Sequence, residues 1–131
     1  MGTGAAASRF GTAINCIDGR LQEPVVRWLR ERYYLDYVDA ITEPGADKVL
    51  ALGPADEVAR LREKARISVE RHGASVIAVV GHHECAASPG SKEAHLAQIR
   101  QALHVVRMWG FAATVEGLWV NERWEVETVA G

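Results

Sequence analysis

The chain has 131 residues, 48% hydrophobic and 24% charged, with a formal net charge of -2. That size suits one compact domain, the composition excludes fibrous and disordered classes, and the even mixing of acidic and basic residues excludes the basic stripe of a nucleic-acid binder. No run approaches the ~20 apolar residues of a membrane span, the opening MGTGAAASRFG lacks the regions of a secretory signal, and two cysteines are too few for a secreted disulfide scaffold. The expectation is a cytoplasmic protein acting on a small molecule, with no nucleic-acid or membrane partner.

Residues 1–9 are rich in Gly, Ala and Ser and read as a flexible amino-terminal arm or expression remnant, with the ordered domain spanning 10–131. Phe10 to Ile17 is short and apolar and runs into Asp18-Gly19, as a buried strand does before a tight turn. Pro24 suits the start of a helix, and Val25, Val26, Leu29 and Tyr33 follow at helical spacing. Tyr37 to Ile41 predicts a second strand, closed by Glu43-Pro44-Gly45. The span from Pro54 to His72 places Val58, Leu61, Ala65 and Val69 on one helical face, with Gly73 as its terminator.

Ser75 to Val80 is an unbroken β-rich run of the kind that fills the centre of a parallel sheet. A further helix is predicted from Lys92 to Trp109, where Leu96, Ile99, Leu103 and Val106 share a side and Gly110 ends it. Phe111 to Val120 reads as another strand, joined through Asn121-Glu122-Arg123 to a short last strand at Trp124 to Val129. Alternating strands and helices predict a three-layer α/β domain whose mainly parallel sheet has the order 2-1-3-4 with a short C-terminal edge strand. In that order the first and third strands are neighbours with diverging connections, the switch point where open α/β sheets place ligands.

The residues with chemistry fall there. Cys16-Ile17-Asp18-Gly19-Arg20 follows the first strand and Gly81-His82-His83-Glu84-Cys85 follows the third. Taken singly, either cysteine is an ordinary buried residue, Asp18-Gly19 is a turn, and an Asp/Arg pair is a local salt bridge. Together, Cys16, His82 and Cys85 form a donor set suited to zinc, with a fourth position left over. Asp18 then has two options: it fills that position, or it pairs with Arg20 through two parallel hydrogen bonds and leaves the position to water. If the strand geometry persists, Cys16, Asp18 and Arg20 face one cavity.

Cys16-x-Asp18-x-Arg20 and His82-x-x-Cys85 together resemble the hallmark of the β-class carbonic anhydrases, and the likeness extends from Phe10 to Val129 through Val79, Val80, Gly117 and Trp119. The resemblance implies that Cys16, His82 and Cys85 bind zinc, and that Asp18 with Arg20 orients a zinc-bound hydroxide for reversible hydration of carbon dioxide to bicarbonate and a proton. His83 or His95 would assist proton transfer, Gln22 would contribute to the pocket, and the chain would form a homodimer or higher oligomer, with Trp109, Trp119 and Trp124 as apolar surface to cover. The chain departs from the family pattern in its brief amino-terminal stretch and in Ala86, which stands where many members have Gly. The alternatives are hydrolysis of another small linear electrophile, such as carbon disulfide or carbonyl sulfide, and a non-catalytic zinc- or anion-binding domain.

Overall fold

A computed structural model describes residues 8–131. The element order is β1 (Phe10–Asn15), α1 (Gln22–Tyr33), β2 (Tyr37–Thr42), α2 (Ala46–Leu52), α3 (Ala55–His72), β3 (Val76–His82), α4 (Lys92–Met108), β4 (Thr114–Val120) and β5 (Val126–Val129). The strands form one sheet of order β2-β1-β3-β4-β5, parallel except for the antiparallel β4–β5 pair. This is the predicted architecture, including the short edge strand.

The part of the expected arm at residues 1–7 lies outside the described residues. Arg9 is tied down: its backbone N–H donates to Asp36 at 2.8 Å and its Nε to the Tyr34 carbonyl at 2.9 Å.

Period-2 alternation sends successive strand residues to opposite faces, and two cores result. Ile14, Ile41, Ile77, Val79 and Trp119 pack against Leu50 of α2, Leu61 and Ala65 of α3, and Ile99 and Leu103 of α4. Ala13, Ala78, Val80, Leu118 and Val120 pack on the other face against Val25 and Leu29 of α1. Each of these Leu, Ile and Val side chains withdrawn from water stabilises the fold by roughly 1.5–3 kcal/mol before entropy is counted. Every residue of β3 is buried, which is why its sequence reads as a continuous apolar run.

The two faces also locate the crevice. The chain leaving β1 passes through α1 on one face, and the chain leaving β3 passes through α4 on the other. The backbone therefore parts at the carboxyl ends of these neighbouring strands and leaves room between them.

Candidate metal centre

β1 ends at Asn15, so Cys16 is the first residue past the sheet, while β3 continues through His82 itself. Cys85 follows in the next turn, and Cys16 Sγ and Cys85 Sγ lie 4.0 Å apart. One ligand atom from each of Cys16, His82 and Cys85 lies within 4.8 Å of the others, and all three residues are buried. Two thiolates on a tetrahedral zinc would stand about 3.8 Å apart given bonds of about 2.3 Å. The two sulfurs already lie close to that separation.

His82 is oriented for the task. Its Nδ1 donates to the His83 carbonyl at 2.8 Å, which fixes the proton on Nδ1 and leaves Nε2 with a bare lone pair. Nε2 is buried and has no hydrogen-bond partner, a cost seldom tolerated unless something else binds there. Burial holds the imidazole below its ordinary value, which favours the neutral form that a ligand needs. Burial, and then the neighbouring Cys16, push the Cys85 thiol up; a cation held by these residues would reverse that direction. The donor set, the spacing and the orphaned nitrogen together fit a metal ion.

Asp18 and Arg20 do not continue the strand. The Arg20 backbone N–H donates to Asp18 Oδ1 at 3.0 Å, closing an Asx turn, so the expected extended face is replaced by a turn. The guanidinium closes on the same carboxylate, Nε to Oδ1 at 3.1 Å and Nη2 to Oδ2 at 2.8 Å. Hydrogen bonding from Arg20 holds the Asp18 carboxyl well below the carboxylate range, at about 2. Its oxygens are not part of the donor cluster. Gln22 braces this turn from behind: its amide donates to the carbonyls of Cys16 at 2.7 Å and Asp18 at 3.0 Å.

A second carboxylate pair lies beneath. Asp47 Oδ2 accepts from His95 Nδ1 at 2.7 Å, and His95 Nε2 donates to the Ser88 carbonyl at 2.8 Å. Both partners are acceptors, so the ring carries both protons, and the hydrogen bond to the Asp47 carboxylate raises His95 above its ordinary value. His95 thus ties α2 and α4 to the loop after Cys85. With both nitrogens engaged and the residue buried, it is not free to relay protons. Gly81 makes room for this pair, since a Cβ there would meet Asp47 Oδ2 at 2.9 Å.

Asp47 was not foreseen because the short α2 that carries it was not. Its only signal is the pair of Pro/Gly boundaries, Pro44-Gly45 and Gly53-Pro54, which read equally as turns. Trp119 is buried against His95, with ring centroids 5.4 Å apart, and completes the core. Trp124 instead lies over the Arg20 guanidinium. A small, mostly apolar pocket of about 240 Å³ opens beside Cys16 and Asp18, walled by Ile17, Pro44, Ala86 and Ala87.

Residues 6–130 match the family described as "Putative carbonic anhydrase". Among solved structures, the β-carbonic anhydrase isoform I of Trichomonas vaginalis is similar at 16% identity and a TM-score of 0.60, over 92% of this chain and 82% of that one. The β-carbonic anhydrase CafA of Aspergillus fumigatus aligns at 15% identity and a TM-score of 0.52, over 95% and 77% of the two chains. A tetrameric β-carbonic anhydrase from Sordaria macrospora aligns at 13% identity and 0.53, over 98% and 83%. No curated protein sequence matches the chain.

Proposed function

The chain belongs to this carbonic anhydrase family, as a divergent member of the β-carbonic-anhydrase-like superfamily, and from that premise we propose that it is a zinc enzyme hydrating carbon dioxide to bicarbonate and a proton. The observation that carries the reading is the buried, unpartnered Nε2 of His82, a residue that with Cys16 and Cys85 brings one ligand atom each to within 4.8 Å of the others, while Arg20 holds the Asp18 carboxylate. Cys16, His82 and Cys85 would hold the metal. Zinc bound there supplies Lewis acidity, lowering the pKa of a coordinated water from about 15.7 to about 7.

The remaining chemistry falls to the chain's own side chains. Asp18 stays anionic across the working range because Arg20 stabilises its charge, so it accepts a hydrogen bond from the attacking water and aims a lone pair at carbon. Arg20 occupies both carboxylate oxygens and limits Asp18 to one orientation. The walls of Ile17, Pro44, Ala86 and Ala87 suit an apolar linear substrate and offer a charged product no hydrogen bonds from their side chains, which favours release. With His95 sequestered, the proton leaves through solvent at the mouth or by way of His83.

No described helix is long and apolar enough to cross a membrane; a cytoplasmic site of action is part of the proposal. Tyr34 and Tyr37, 81% and 56% exposed, favour a homodimer, which light scattering in solution checks directly. Stopped-flow hydration of carbon dioxide, with zinc-loaded against metal-free protein, tests the activity. A zinc-dependent rate supports it, and no rate above the metal-free control overturns it. Parallel assays with carbonyl sulfide and carbon disulfide decide which linear electrophile is turned over.

A further inference from the structure

Arg20 has more partners than Asp18. Its Nη1 donates to Glu84 Oε1 at 3.2 Å, and its Cζ lies 4.4 Å from the centroid of the Trp124 ring. These partners come from separate loops, Glu84 from the turn between His82 and Cys85 and Trp124 from the β4–β5 hairpin. Both sit in the left-handed region, with φ of 56° and 58°, a conformation that costs a non-glycine residue roughly 1–3 kcal/mol and persists only where the surroundings impose it.

The hairpin shows how unusual Trp124 is. Its N–H donates to the Asn121 carbonyl at 2.9 Å, and Asn121 Oδ1 accepts from the backbone N–H groups of Arg123 at 2.9 Å and Glu125 at 3.0 Å. A turn so braced ends in a left-handed bulge position where glycine is the usual residue. Glycine would relieve the strain there, but it would leave the guanidinium without an aromatic wall. The Trp124 ring also approaches the His82 ring, at 6.4 Å between centroids, so one side chain spans the donor set and the Asp18–Arg20 pair.

The stacking matters because Arg20 is half exposed, at 49%, and an exposed ion pair alone holds its geometry weakly. A guanidinium held over an indole ring has less freedom to swing, and the carboxylate fork depends on where the guanidinium stays. Glu84 closes the outer end. Asp18 sits two positions from Cys16, and once released from Arg20 its carboxylate is free to compete for a metal held by the cluster.

We propose that Trp124, supported by Glu84, is a positioning residue that locks the Arg20 guanidinium and so keeps the Asp18 carboxylate turned away from the Cys16–His82–Cys85 donors. The proposal rests on the reading of those donors as a metal centre. It assigns to the β4–β5 hairpin the control of whether the fourth position is open.

Cobalt(II) in place of zinc tests this without turnover, because its visible absorption reports changes in coordination. Wild type, Trp124→Gly, Trp124→Phe and the double variant Trp124→Gly/Asp18→Asn are loaded with cobalt and titrated with azide. Wild type and Trp124→Phe are expected to shift their spectra on azide binding, and Trp124→Gly to bind azide at least tenfold more weakly because Asp18 competes for the open position. The double variant should recover the wild-type response. Wild-type azide affinity in Trp124→Gly overturns the proposal, as does a weakened response that Asp18→Asn does not restore. Should the glycine variant not fold, Trp124→Leu carries the same expectation and the same overturning result. A wild type that binds cobalt and azide yet hydrates no carbon dioxide sinks the activity and leaves the lock standing, whereas one that takes up no cobalt overturns both.

Discussion

Two carboxylate–cation pairs flank the same three donors, and they differ in exposure. Asp18 and Arg20 are 19% and 49% exposed, whereas Asp47 and His95 are both 3% exposed. A pair in water is screened and can part at little cost; a buried pair without its partner leaves a charge that nothing solvates. The buried pair therefore fixes the loop that carries Cys85, and on the proposed reading the exposed pair operates the centre, by deciding where a carboxylate points. One fold uses the same chemistry twice, and burial separates scaffold from switch.

Breaking the buried pair should have the largest effect. Asp47→Ala is expected to cost about 3–5 kcal/mol, read as a lower midpoint in denaturant unfolding. A cost below 1 kcal/mol would show that the pair is not structural. The pH dependence separates the pairs next. His95 is raised above its ordinary 6.5, so its contribution is complete below that value and is lost as pH rises through the higher folded value. Stability should fall as pH rises above 6.5 in the wild type, and that slope should be absent in Asp47→Ala. Asp18 runs the other way: its value falls from 3.8 to about 2, so its contribution is present above 3.8 and is lost only as pH falls toward 2. Smallest of all, Arg20→Ala should change unfolding stability by less than about 1 kcal/mol while lowering the hydration rate. A stability loss as large as that of Asp47→Ala would erase the distinction.

The parts of this comparison were unequally legible in the sequence. The sheet order followed from strands alternating with periodic helices, and Cys16, His82 and Cys85 stood out because uncommon residues fell at the ends of two strands predicted to be central. The exposed pair was visible too, since Asp18 and Arg20 are two residues apart and local spacing suffices. The buried pair was not. Asp47 lies on α2, at 7 residues too short to display a helical period, and it meets His95 across 48 positions, a contact that only the packing of α2 on α4 creates. Trp124 was visible as an aromatic but not as a partner of Arg20, because its left-handed backbone is imposed by the Asn121 turn and side-chain contacts rather than by its own preference.

The central claim is that Asp18 acts on the reaction and not on the fold, and the hydration rate of Asp18→Asn at zinc occupancy matched to the wild type tests it most directly. The expected result is a rate roughly 10–100-fold lower with zinc retained, the size of effect seen when a group that orients a metal-bound ligand is removed. An unchanged rate at full zinc would contradict the account.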